Sequence, residues 1–301
     1  MNKTIKKLTM LLIVLMLLTA VPTLADDDTF TIVWISDTQA IAYYDYPGAF
    51  EKMGNWIMDN PEGVQYIVQT GDAVDDGFHA RDWRNYYKLY DKFAGQIPYI
   101  AVAGNHELGV KRQEWDAYLA LPEVQAIPED HKFAGGKAVY ATFEHGGEKF
   151  IIAGIGYGAT DECTDWLNRV LTEHSDHIAI LIFHSYLRNA DEYMPVGEQI
   201  FETIVKPNPN VRLVLSGHVS KGGNAFRQEQ LDDNGDGTPD RTVTAMMYNY
   251  QSWSENCGQL RTLEFNPATR EIAVHTFSPV TGKEFNDMAF GTATFTIPDA
   301  F

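Results

Sequence analysis

The stretch Ile97-Pro98-Tyr99-Ile100-Ala101-Val102-Ala103-Gly104-Asn105-His106-Glu107 decides how this chain is read. The apolar run over 97–103 is too short for a buried helix and predicts a strand. It opens directly into a glycine, an amide, an imidazole and a carboxylate. Glycine tolerates a sharp turn and a close backbone approach, so the polar side chains that follow belong at the carboxyl end of a buried strand. In open α/β sheets the crevice beyond those ends is where ligands bind.

The same arrangement recurs outward from this segment. Phe30–Ile35 predicts a strand that runs into Ser36-Asp37-Thr38-Gln39, and Val64–Gln69 one that runs into Thr70-Gly71-Asp72. Ile178–Phe183 leads to His184-Ser185, and 211–215 leads to Ser216-Gly217-His218. Five strand ends therefore present Asp37, Asp72, Asn105, His184 and His218. Helical spacing is expected over 48–58, 79–93, 112–121 and 162–174. Gly146-Gly147 predicts a hairpin between strands at 139–143 and 149–154. Strands at 242–248, 260–265 and Glu271–Phe277 follow. Alternating strands and helices, then further strands, predict an α/β sandwich of two packed mixed sheets flanked by helices. With no linker, repeat or low-complexity segment in view, 26–301 is expected to form a single domain.

Residues 1–25 have the layout of a signal peptide: Lys3, Lys6 and Lys7, an apolar run over 8–21, then Thr23-Leu24-Ala25 ahead of Asp26. That run is shorter than the about 20 residues of a comfortable membrane span. A secreted or periplasmic protein with no membrane span after cleavage is the expectation, and a retained anchor the alternative. The chain has 23 Lys plus Arg against 41 Asp plus Glu, a net charge of −18. Such a surface repels polyanions and argues against stable nucleic-acid binding. A small phosphorylated substrate is still compatible, because a metal ion inverts the local field. Cys163 and Cys257 are the two cysteines; a disulfide and two separate thiols are both open.

Carboxylates, an amide oxygen and imidazoles suit Mn, Fe or Zn better than a soft site would. Two such ions about 4 Å apart can act together on a transferring phosphoryl group, and Asp72 is the expected bridging carboxylate. Any one of these residues alone reads equally well as a cap or turn former; their joint placement is the signal.

In order, Asp37-Thr38-Gln39, Gly71-Asp72, Gly104-Asn105-His106-Glu107, a lone His184 and Gly217-His218 resemble the calcineurin-like metallophosphoesterase superfamily, over about 31–279. The Ser36-Asp37-Thr38-Gln39 start is similar to its exported bacterial members. The resemblance implies the calcineurin-like metallophosphoesterase sandwich and metal-dependent hydrolysis of a phosphoric monoester or diester. It implies one metal held by Asp72, Asn105, His184 and His218, and another held by Asp37, Gln39, Asp72 and residue 220. The family pattern has histidine at positions 39 and 220, where this chain has Gln39 and Ser220. A Gln oxygen still coordinates a metal, whereas Ser is a poor substitute for imidazole, so one or two bound ions are expected. By the same resemblance His106 protonates the leaving oxygen, and Asp37 orients His106 or positions a ligand. The expected partner is a small phosphorylated substrate or an envelope phosphate ester. Ser220 also sustains an alternative: a degenerate, non-catalytic protein that binds a phosphorylated ligand or an envelope polymer.

A separate acidic segment places Asp232, Asn234, Asp236, Thr238 and Asp240 at alternating positions, with Gly237 sixth. This resembles the front half of an EF-hand-type calcium loop. The twelfth position is Val243 rather than Glu, and Pro239 with probable strands around it opposes a helix-loop-helix unit. A calcium clip on a β-hairpin and a plain acidic turn are the two expectations.

Overall fold

The computed structural model describes residues 29–158, 160–220, 223–251 and 258–301. The expected signal peptide at 1–25 and the Cys257 half of a disulfide lie outside the described residues. Along Phe30–Ile35, Ile32 and Trp34 point to one face and Val33 and Ile35 to the other, and all four are fully buried. A strand covered on both faces needs an unbroken apolar run, which is what the sequence supplies here.

One face of that strand meets a second sheet. Ile32, Trp34 and Val68 pack there with Phe150, Ile152, Ile182, Leu213, Leu215 and Met246. The Tyr248 hydroxyl donates to the Trp34 carbonyl at 2.6 Å and ties the two sheets together. The other face meets helices: Val33, Ile35 and Ile67 pack with Phe50, Met53 and Ile57 of Ala49–Asp59, and with Tyr86, Leu89 and Phe93 of Ala80–Phe93. Ile151, Ala153, Leu181 and Val214 do the same against Leu167, Val170 and Leu171 of helix Asp161–Glu173. Each large apolar side chain so buried contributes about 1.5–3 kcal/mol.

The first sheet has six strands in the order Thr294–Ile297, Glu271–Phe277, Leu260–Asn266, Phe30–Ile35, Val64–Gln69 and Tyr99–Ala101. The last three run parallel. The second has seven, in the order Asn224–Leu231, Arg241–Tyr248, Val211–Ser216, Ile178–Phe183, Glu148–Ile155, Ala138–His145 and Lys132–Phe133. Its four central strands are also parallel. Two packed mixed sheets with helices outside are the fold expected. Parallel strands put their carboxyl ends along one sheet edge, and that edge carries the candidate ligands.

Three local expectations need correction. The strand expected over 97–103 shortens to Tyr99–Ala101, because Ile97 still donates to Phe93 O at the end of the preceding helix and Pro98 has no N–H to give. The helix expected over 112–121 is absent as such. Arg112 and Gln113 close a turn on Gly109 O, and Gln113 adopts φ 55°, so only the short helices Asp116–Leu119 and Pro122–Gln125 form. Gln39–Tyr44 forms a short helix that was not anticipated. Strands Asn224–Leu231 and Thr294–Ile297, and helix Pro195–Ile200 with its π-helical continuation Phe201–Val205, were not anticipated. The acidic 232–240 segment is the tip of the hairpin joining Asn224–Leu231 to Arg241–Tyr248. Among the described residues no helix is long and apolar enough to cross a membrane.

Candidate metal centre

Each candidate ligand follows the last residue of its strand by at most four positions. Three of them, Asp37, Asp72 and His218, have φ values of 52°, 55° and 73°. Non-glycine residues in this left-handed region cost about 1–3 kcal/mol each, and such outliers gather at functional sites. Glycines make room beside them. A Cβ on Gly104 would collide with Asp72 Oδ1, and one on Gly217 with Asp37 Oδ2. The glycines expected to permit close approach therefore do so next to carboxylates.

The ring of His184 is the centre of the arrangement. Its Nδ1 lies 2.9 Å from Thr70 O, which fixes that nitrogen as the N–H and frees Nε2 in the neutral ring. Around Nε2 stand His218 Nδ1 at 3.0 Å, Asn105 Oδ1 at 3.1 Å and Asp72 Oδ2 at 3.3 Å. One nitrogen cannot satisfy three such neighbours by hydrogen bonding, whereas one cation would. Ligand atoms of Asp72, His184 and His218 all lie within 4.8 Å of one another, the one such trio of His, Cys, Asp and Glu among the described residues.

Gln39 and Asp37 stand beside this cluster. Gln39 Nε2 donates to Asp72 Oδ2 at 3.0 Å, and its Oε1 is buried without a hydrogen-bond partner. A buried amide oxygen left unpaired is costly, and a cation between it and Asp72 would satisfy it. Both oxygens of Asp37 accept the backbone N–H of His218 at 3.1 Å, and Ser36 Oγ donates to Oδ2. Of the two roles expected of Asp37, orienting His106 or positioning a ligand, the contacts that form are those to the backbone of the candidate ligand His218. His106 instead directs Nδ1 to Asp75 O at 2.6 Å, with Asp75 Oδ1 at 3.4 Å, while its Nε2 lies 3.9 Å from Asp72 Oδ2. Asp37 is held to the 218 loop because both oxygens are already engaged there.

Glu107 was quoted in the sequence motif without a role, and the structure gives it one. Its buried carboxylate accepts N–H groups from Asp72 at 2.8 Å, Val74 at 3.1 Å and Gly104 at 2.6 Å. It thus clamps the Asp72 loop to the Asn105 loop. Its fixed place after the ligand asparagine was the signal available. Tyr157, also not anticipated, lays its ring 5.9 Å from His184 and 5.7 Å from His218. Ser220 sits half-buried at the end of the His218 loop.

The electrostatics call for positive charge. Asp37, Asp72 and Glu107 are all at most 3% exposed. Burial pushes Asp37 up to about 7 and also raises Glu107. Burial raises Asp72 as well, but the charge and hydrogen bond of His184 together with those of His106 outweigh it and hold the carboxyl below the usual range. Burial disfavours charge on His184, yet Asp72 and Asp37 raise it to about 9. Burial and the neighbouring His184 push His218 down to about 4. One imidazolium among three buried carboxylates is the electrostatic setting a divalent cation fits, and the oxygen and nitrogen donors suit a transition metal.

The acidic hairpin tip is built differently. Asp232 accepts backbone N–H groups of Gly235, Asp236 and Gly237; Asn234 Oδ1 accepts from Asp236, and Asp236 Oδ1 from Thr238. Asp240 accepts from the backbone of Asp233 and Asn234 and from Asn234 Nδ2. The loop oxygens are thus spent on the turn itself. Tyr43 and Tyr44 are exposed, and Arg81 lies over the Tyr43 ring while pairing with Asp82.

The calcineurin-like phosphoesterase family model matches residues 30–222, and the chain belongs to that family. It is 40% identical over 272 residues to the uncharacterized protein YvnB of Bacillus subtilis (strain 168), covering 86% of this chain and 21% of that protein. The chain thus spans about a fifth of that relative's length. It is 28% identical over 220 residues to a protein of Moraxella catarrhalis (strain BBH18) named "probable cyclic nucleotide phosphodiesterase", covering 66% of this chain and 74% of the other. In fold it is similar to a purple acid phosphatase from yellow lupin (Lupinus luteus) seeds, with a TM-score of 0.62 at 13% identity, over 90% of this chain and 54% of that one.

Proposed function

We propose, from that family membership and from the cluster around His184, that this protein is a metal-dependent phosphoesterase acting outside the cytoplasm on a small phosphate ester. The observation that carries the reading is the convergence of Asp72, Asn105 and His218 on His184 Nε2. Asp72, Asn105, His184 and His218 would hold one ion, and Asp37, Gln39 and Asp72 the other. When bound, divalent Mn, Fe or Zn supplies Lewis-acid charge to the phosphoryl oxygens and makes water nucleophilic near neutral pH.

The remaining work falls to the chain. Thr70 O fixes the His184 ring, Glu107 fixes the two ligand loops against each other, and Asp37 fixes the His218 backbone. His106, with its side chain 24% exposed and Nδ1 anchored on Asp75 O, offers Nε2 to protonate the leaving oxygen. The n-region lysines and apolar run of residues 1–25 support export, and 26–301 is read as one domain. The net charge of −18 supports a small phosphorylated molecule or an envelope phosphate ester over nucleic acid. At Asp232, Asn234, Asp236, Thr238 and Asp240, where a calcium clip and a plain acidic turn were the two expectations, the hydrogen bonds made within the loop support the plain turn.

Ser220 at a family histidine position supports a second reading, a non-catalytic binder of phosphorylated ligands. Hydrolysis of an aryl phosphodiester in excess Mn by the exported part separates the two. His106→Ala should slow it by about 10²–10⁴-fold with metal content unchanged. Parity of a folded His106→Ala variant with the parent would transfer the weight to the binding reading.

A further inference from the structure

Two separate cavities border the metal centre, and they differ in chemistry. One, of about 330 Å³, is lined by His106 with Asp75, Asp76, His79, Lys111 and Arg112. The other, of about 290 Å³, is lined by His184, Tyr157, Phe183, Ser185, Ile200 and Val196, and it shares no lining residue with the first. Among the described residues no Lys or Arg lines this second cavity, and beside His184 its one charged residue is Asp161. Ser185 in its wall is 5% exposed, and its hydroxyl has no hydrogen-bond partner.

We infer that the chain is a phosphodiesterase whose non-leaving substituent, an uncharged ring-sized group, seats between Tyr157 and helix Pro195–Ile200. The inference rests on the phosphoesterase reading with His106 as proton donor. The leaving alcohol must meet that donor, so it departs on the His106 side. A monoester has no second organic group and would leave the His184-side cavity unused. A cavity of about 150 Å³ already holds a benzene ring, so the 290 Å³ here has room for one substituted ring. Without a cation in the wall, and with Asp161 repelling negative charge, a second phosphate or carboxylate is disfavoured.

Bis(p-nitrophenyl) phosphate and methyl p-nitrophenyl phosphate share a leaving group and differ in the group retained, a ring against a methyl. Val196 is 42% exposed at the cavity wall, so Val196→Trp would fill the seat from outside the core. With the Mn-loaded protein, KM for the bis-aryl diester should rise about tenfold in this variant, while the methyl diester changes less than about twofold. Gln199→Trp, at another exposed position of the same wall, should also raise the bis-aryl KM several-fold with the methyl ester again unmoved, and it carries the test if Val196→Trp does not fold. An unchanged ratio of kcat/KM between the two diesters in both variants overturns the seat, with the phosphoesterase reading intact. Faster turnover of p-nitrophenyl phosphate than of either diester overturns the diesterase assignment. Failure to hydrolyse any of the three removes the phosphoesterase reading and this inference with it.

Discussion

His184 Nε2 and His218 Nδ1 stand 3.0 Å apart, and the two rings are driven to opposite protonation states. Burial opposes charge on both. On His184 the Asp72 carboxylate overrides it and raises the ring to about 9, while on His218 the charge of His184 adds to burial and pushes the ring down to about 4. The single proton on this pair occupies the position a cation would take.

Metal binding should therefore release that proton. At pH 8, above the value of about 7 to which burial raises Asp37 and below the value of about 9 for His184, the metal-free protein holds its proton on His184. Adding Mn²⁺ should release about one proton per ion, and apparent affinity should fall roughly tenfold per pH unit below 9 before flattening above it. Titration calorimetry in two buffers of different ionisation heat reads the release directly. Equal heats in both buffers would refute the competition.

Glu107→Ala should be costly although Glu107 touches no metal. Three buried N–H groups, of Asp72, Val74 and Gly104, lose their acceptor. At about 1–3 kcal/mol for each unsatisfied group, urea unfolding should show a loss of roughly 3 kcal/mol or more. Metal content after dialysis should fall as well, because two ligand loops come apart. A variant with parental stability and metal content would show the clamp to be idle.

Gly104→Ala should separate site from fold. The added methyl collides with both Asp72 Oδ1 and the Asp72 backbone N, so the 72 and 104 loops must move apart and carry the carboxylate from His184 while the sheets keep their packing. Metal affinity is expected to drop at least about tenfold, the scale seen when a ligand's support is disturbed, with an unaltered far-UV circular dichroism spectrum. Unaltered metal affinity would mean that the loop yields without moving Asp72.

Ser220→His should strengthen the ion held by Asp37, Gln39 and Asp72. Imidazole is a far better transition-metal ligand than a neutral hydroxyl. Elemental analysis after gel filtration should move from about one ion per chain toward about two, with a gain in turnover of an aryl diester. An unchanged stoichiometry would place the limit at Gln39 or Asp37.

Strand positions were readable because they depend on short apolar runs, such as Ile178–Phe183, buried on both faces. The helix expected over 112–121 was misread because Gln113 takes a left-handed conformation that composition does not announce. The unanticipated strand Asn224–Leu231 has the polar residues Arg227, Gln228, Glu229 and Gln230, and antiparallel pairing with Arg241–Tyr248 makes it a strand.

By itself the sequence determined the family the chain belongs to and the placement of the candidate donors Asp37, Gln39, Asp72, Asn105, His184 and His218 just beyond buried strands. These are matters of residue type and local periodicity, and both are written in consecutive residues. Only the tertiary structure decided that His184 Nε2 faces His218 Nδ1, that Asp37 holds the His218 backbone, that Glu107 clamps two loops, and that a cavity opens beside His184 between Tyr157 and helix Pro195–Ile200. Asp37 and His218 lie 181 residues apart in sequence. Their meeting depends on strand register and on how one sheet packs against the other, interactions that no local stretch of the chain specifies.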